Sequence, residues 1–148
     1  MLHNLKPLIA KALLSNSAIV EYVAKDSHGH PVIGSNKLVA GLFPAIEFHQ
    51  VGGGDLRSVD DTVDVREYRL QFTIFTKDSS HYLVENVLDT IMRDMEFRCY
   101  FDHEMYDDTL DITQRVLLYR VYLTDERFKS IEAKLNITSQ EAQELNAL

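Results

Sequence analysis

Tryptophan is absent from this chain and cysteine occurs once, at Cys99. One thiol excludes an intrachain disulfide and any zinc site built from cysteines. Cys99 reads as a small buried hydrophobe on a strand; a catalytic thiol would need a histidine brought to it by the fold. Apolar runs are only a few residues long, far short of the ~20 residues that cross a bilayer. Met1–Lys11 has neither the basic region nor the apolar stretch of a secretory signal, so the cytoplasm is the expected place of synthesis. Runs of lysine and arginine are also missing. The 15 basic residues stand against 23 acidic ones, a formal net charge of -8. Gripping a nucleic-acid backbone takes clustered cations that release counterions, and an anionic membrane attracts the same clusters. Neither partner is expected here; an acidic surface instead repels DNA passing near it.

What is present suits an ordinary folded domain. The 148 residues are 45% hydrophobic, enough for a core without metal or disulfide support. Leu2, Leu5, Leu8, Ile9, Ala12 and Leu13 recur at spacings of three and four and predict a helix, with Asn4 as cap and Pro7 in the first turn. A short helix after Ser17 carries Ile19, Val20 and Val23. Asp26 to Lys37 holds turn residues and reads as a loop or loose hairpin. Leu42 to Val51 reads as a strand with Ile46 and Phe48 on one face and Glu47 and His49 on the other. Gly52-Gly53-Gly54 opens a polar stretch to Asp61, expected to be a mobile loop between two long antiparallel strands.

Val63 to Thr76 alternates most clearly, with Tyr68, Leu70, Phe72 and Ile74 on one face. Val63 and Val65 have the opposite parity, which predicts a bulge near Arg66 or Glu67, or two halves burying different faces. Ser79 or Ser80 caps a helix with Val84, Val87, Leu88, Ile91 and Met95 on one stripe. Phe97 to Phe101 is a short strand, and Asp102 to Asp111 an acidic loop. Thr113 to Leu123 is apolar on both faces, which predicts a strand that is central or covered on both sides. Asp125 caps a last helix bearing Phe128, Ile131 and Leu135, and Thr138 and Glu141 have capping-box spacing. The polar tail is either a small helix that docks on a partner or a frayed end. Strands in runs with helices beside them give an α+β fold: a mostly antiparallel sheet flanked by an N-terminal helix, a central amphipathic helix and a C-terminal helix. Residues 1–124 form one domain and 125–148 a C-terminal helical extension.

Sites for chemistry are harder to find. The glycine run lacks the Lys-Ser or Lys-Thr of a phosphate loop and is followed by acids. The Asp102–Asp111 stretch lacks the spacing and the glycine of a calcium loop. His28 and His30 flank a glycine in a turn-rich segment. Asp64 and Glu67 approach a nuclease pattern, but Arg69 stands where lysine is wanted. No catalytic residue, metal or cofactor is expected, and an enzyme is not the favoured reading.

One ordering of elements is familiar. The helix Leu5–Leu14 leads to the strand Pro44-Ala45-Ile46-Glu47, then Gly52-Gly53-Gly54. The strand Glu67-Tyr68-Arg69-Leu70-Gln71-Phe72-Thr73-Ile74-Phe75 follows, then a helix near Tyr82–Met95 and a strand rich in arginine and aromatics, Arg115–Leu123. Across residues 1–124 this order resembles the tail-completion and tail-terminator proteins of tailed bacteriophages; the segment after Asp125 lies outside the pattern. The resemblance implies a virion protein, made in the host cytoplasm, that forms a homohexameric ring. The ring caps the tail tube, ends its polymerisation and joins it to the neck. Implied partners are the chain itself, the tail tube protein, a neck or connector protein and, in a contractile tail, the sheath. DNA only passes through the lumen, and no membrane or cofactor is involved. On that footing Asp55, Asp60, Asp61, Asp102, Glu104, Asp107 and Asp108 are candidates to line a lumen or an interface. Arg57, Arg66 and Arg69 are candidates to face acids of the next subunit. The alternatives are a head–tail connector, or, from other classes, a small ligand-binding domain with a deep apolar pocket or a metal-dependent enzyme using Asp102–Asp108.

Overall fold

The expected apolar stripes all become helices packed on one side of a sheet. The computed structural model describes residues 3–35, 41–59, 62–78 and 80–148, with backbone alone for 56–59, 62 and 63. Helix α1 (Lys6–Leu14) buries Leu8, Ile9, Ala10, Ala12 and Leu13. Its N-cap position is Leu5, with no side-chain cap; Asn4 instead accepts a hydrogen bond from the Lys6 N–H at 3.1 Å. Helix α2 (Ser17–Tyr22) is capped by Asn16, whose side chain accepts from the Ile19 N–H. Helix α3 (His81–Asp94) buries Val84, Leu88, Ile91 and Met92. Ser80 occupies its N-cap position without a side-chain cap, and the Asp78 carboxylate takes the Ser80 N–H at 2.8 Å; Ser79 lies outside the described residues. Helix α4 (Asp125–Leu135) corrects the expected cap. Thr124 has the extended backbone a cap requires and accepts from the Arg127 N–H, while Asp125 is the first helical residue. There its charge still favours the helix dipole. Helix α5 (Ser139–Asn146) opens with the expected capping box of Thr138 and Glu141.

The strands are β1 (Ile33–Gly34), β2 (Ala45–Val59), β3 (Thr62–Thr76), β4 (Arg98–Asp107) and β5 (Ile112–Leu123). They form a 5-stranded sheet in the order β1-β2-β3-β5-β4. Among the described residues only β1 and β2 are parallel, so the fold is α+β with a mostly antiparallel sheet. The expected loop from Gly52 to Asp61 is instead strand as far as Val59, paired with β3 down to Val59↔Thr62. The ladder is made by backbone groups, so a run of glycines can join it when a long partner strand is already in place. Gly53 has φ +146°, and a Cβ there would meet the Glu67 carbonyl oxygen at 2.0 Å; only glycine fits so close to the neighbouring backbone. The parity break in β3 comes at Asp64 rather than at Arg66 or Glu67. Arg57↔Val65 is followed by Ser58↔Val63, which leaves Asp64 as the extra residue. The β3–β5 ladder itself is unbroken from Arg66 to Thr76.

The expected acidic loop Asp102–Asp111 is corrected in the same way. Strand β4 continues to Asp107, and only the turn between β4 and β5 remains. Asp102 and Glu104 alternate with Phe101, His103 and Met105, so these two carboxylates share one face of the strand. Strand β5 lies between β3 and β4, hydrogen-bonded on both edges. Its faces differ, however: Leu117, Tyr119, Val121 and Leu123 are buried while Arg120 and Tyr122 are exposed. The double apolar pattern therefore marks one covered face and one open face.

Ile46, Phe48, Tyr68, Leu70, Phe72, Ile74, Leu117 and Tyr119 form the sheet's side of the core. Phe72 meets Tyr119 edge to face at 5.6 Å. Phe128 and Ile131 of α4 belong to the same core cluster, and Phe128 stacks on His3 at 4.1 Å. Helix α5 lies against α1, where Lys11 meets Glu141 at 2.8 Å and the Lys6 ammonium donates to the Asn146 and Leu148 carbonyls. The tail thus docks on its own chain. The opposite face of the sheet carries no helix among the described residues.

Candidate functional site

The helix-covered side of β4 and β5 holds charges in structural pairs. Arg115 donates two hydrogen bonds to Glu85 of α3, at 3.0 and 3.1 Å, and a third to Asp102 at 2.7 Å. These carboxylates hold its guanidinium firmly protonated, above the usual arginine range. Glu104 lies 3.0 Å from buried His81. Asp107 accepts from the N–H groups of Thr109 and Leu110 and so closes the turn, while Asp108 is exposed on it. Of the acids expected to line a lumen or interface, Asp102 and Asp107 thus have hydrogen-bond partners within the chain, while Glu104 only approaches the His81 ring. Tyr119 donates from its hydroxyl to Asp89 of α3 at 2.7 Å; burial first, then that bond to a carboxylate, pushes its phenol well up.

Strands β2 and β3 run on past the rest of the sheet. The β3–β5 ladder ends at Arg66↔Leu123, yet β2 and β3 stay paired to Val59↔Thr62. The result is a two-stranded arm, with Asp55 and Arg66 bound across its base at 2.7 Å and Arg66 over the Tyr68 ring at 5.6 Å. Asp60, Asp61 and the side chain of Arg57 lie outside the described residues.

On the open face, register pairs Arg69 with Arg120, and Arg120 with Arg98. Tyr100 is the extra residue of a bulge between Cys99 and Phe101. Its ring lies between two guanidinium groups, 5.6 Å from Arg69 and 5.4 Å from Arg120, and Arg120 also lies 6.0 Å from the Tyr122 ring. Arg69 is bound to Glu67 on its own strand. Arg98 donates to the Phe97 carbonyl at 3.0 Å. The charge of Arg98 also acts on the Asp89 carboxylate, whereas Arg120 has no carboxylate partner among the described residues. Around this ladder Tyr100, Phe101 and Tyr122 are 37%, 53% and 49% exposed, far more than apolar strand residues keep against a core. Of this ladder the sequence reading had singled out only Arg69. Arg120 and Tyr122 share a strand face, and that spacing is the signal; Arg98 and Tyr100 reach the same face only because of the bulge.

The remaining candidates stay apart. His28 and His30 sit in an exposed turn whose amides bind the Asp26 carboxylate. Cys99 is half-buried, and burial pushes its thiol up, away from the thiolate a nucleophile needs. Among the described residues no group of three or more His, Cys, Asp and Glu side chains is placed to hold a metal ion, and no helix is long and apolar enough to cross a membrane. A cleft of about 370 Å³ between α3 and α4 mixes apolar Ile91, Met95 and Ile131 with charged Asp94, Arg127 and Lys134. No model of a known protein family matches the chain, and no curated protein shows significant similarity to it.

Proposed function

We propose that this chain is a structural subunit that assembles with copies of itself into a ring, in the manner of the phage tail terminators it resembles. The observation that carries the reading is the arm of β2 and β3 beyond Arg66. A two-stranded ribbon is marginal alone in water, so fifteen-residue strands that outrun their sheet make sense against a neighbouring subunit. In this reading the ring ends the growth of a tail tube and offers the neck a docking surface. Tube protein, neck protein and, in a contractile tail, sheath are its contacts, and DNA passes through the lumen. No catalytic step is assigned to it.

Two measurements test this: mass in solution by light scattering, and negative-stain imaging after tail tubes are added. Hexameric rings, or a monomer that forms rings on tube ends, are expected. A stable dimer that ignores tubes would overturn the reading and favour a ligand-binding domain. Binding to isolated portal rings instead of tubes would make the chain a neck connector.

A further inference from the structure

The β4–β5 hairpin carries opposite charges at its two ends. From Cys99 to Gln114 the sequence has no lysine or arginine, and it holds Asp102, Glu104, Asp107, Asp108 and Asp111. Asp102 is taken by Arg115, and Asp108 has no partner among the described residues. Next to the acids at the turn, Tyr106 and Leu110 are 59% and 58% exposed. The other end bears the ladder of Arg69, Tyr100, Arg120 and Tyr122, with Arg98 beside it. At about 3.4 Å per residue, Arg120 stands roughly 27 Å along β5 from Ile112. One chain therefore cannot bring its own turn onto its own ladder.

We infer that the acidic β4–β5 turn of one copy seats on the arginine–tyrosine ladder of the next. The inference rests on the ring reading and names the surfaces that make the contact. Charge selects the occupant. Arg120 meets no carboxylate at home among the described residues, and the turn supplies Asp108, which has no partner there, beside the exposed Leu110. Four long strands spaced about 4.8 Å apart, over about 30 Å, span on the order of 600 Å². A stable partner contributes ~800 Å² to a specific interface, so the turn and the ladder form one part of a larger contact between the two copies. Two different patches in contact make a heterologous interface, which closes into a ring or runs on as a filament.

Charge exchange tests it. Asp108→Lys and Arg120→Glu alter exposed side chains, so both variants should keep the wild-type circular dichroism. Each alone sets like charges against each other and should weaken self-association at least tenfold, measured by light scattering at low salt. The double variant, or an equimolar mixture of the two single variants, should restore it, because every contact again joins opposite charges. Single variants that assemble like wild type would overturn the inference and leave the ring reading standing. If the wild type is monomeric in solution and forms rings only on tube ends, the same variants are compared there, and single variants that ring like wild type would overturn the inference; wild type that forms no ring in either setting would overturn the ring reading and the inference with it. Binding of oligothymidylate to wild type, lost in Arg120→Glu, would assign the face to single-stranded nucleic acid and overturn the inference too.

Discussion

Gly53 shows how closely single residues are constrained here. Its positive φ and the 2.0 Å approach of a would-be Cβ to the Glu67 carbonyl leave no room for a side chain. Gly53→Ala must push β2 from β3 at the base of the arm, and should cost about 2 kcal/mol, read from urea midpoints. Asp89 supports a pH prediction. Burial acts to raise its pKa, but hydrogen bonds from Arg93 and the Tyr119 hydroxyl outweigh that and leave it below the ordinary carboxylate value. A carboxylate with a depressed folded pKa stabilises the fold above its unfolded value, about 3.9, and that stabilisation is lost as pH falls through the folded value. Asp89→Asn should therefore lower the urea midpoint at pH 7, and the gap to wild type should close below about pH 4. A gap unchanged at low pH would show that the charge contributes nothing. Neither constraint is visible in the sequence alone. Glycine runs look the same in loops and in strands, and Asp89 meets Tyr119 only after α3 crosses β5.

At the scale of elements, those that bury one face were legible, because burial leaves a period of 3.6 or 2 in the side chains. Helices α1 and α3 and strands β3 and β5 are of this kind. The far halves of β2 and β4 were not: Gly52, Gly53 and Asp55 of β2 and the residues of β4 from Tyr100 to Tyr106 are exposed, and both strands are held there by backbone hydrogen bonds that carry no side-chain signature. Their polar composition reads as loop for the same reason. Helix α4 lies beyond Asp125, yet Phe128 is 9% exposed within the core cluster. Phe128→Ala should cost about 3 kcal/mol, and near-UV and far-UV signals should fall together in urea if α4 unfolds with the sheet. An early, separate loss of helix would show that α4 is an independent appendage.

On the whole-molecule scale the protein is a half-covered sheet with an arm. Helices lie over one face; the other is left with a cationic–aromatic ladder in a chain of net charge -8. A contact between unlike charged patches should be salt-sensitive. The light-scattering mass of the wild type should therefore fall between low salt and 1 M salt. A mass unaffected by salt would point to an apolar contact through Phe101, Met105 and Tyr122 instead.

Composition and periodicity alone determined the α+β class, the positions of the main helices and the core faces of β3 and β5. Each follows from local chemistry: the burial of one face and the spacing of apolar groups. Only the tertiary structure decided how far β2 and β4 run, that α5 closes on α1, and that Arg69, Tyr100 and Arg120 stand together. Those features depend on which backbone lies beside which, and on a bulge that turns Tyr100 toward the arginines of two other strands.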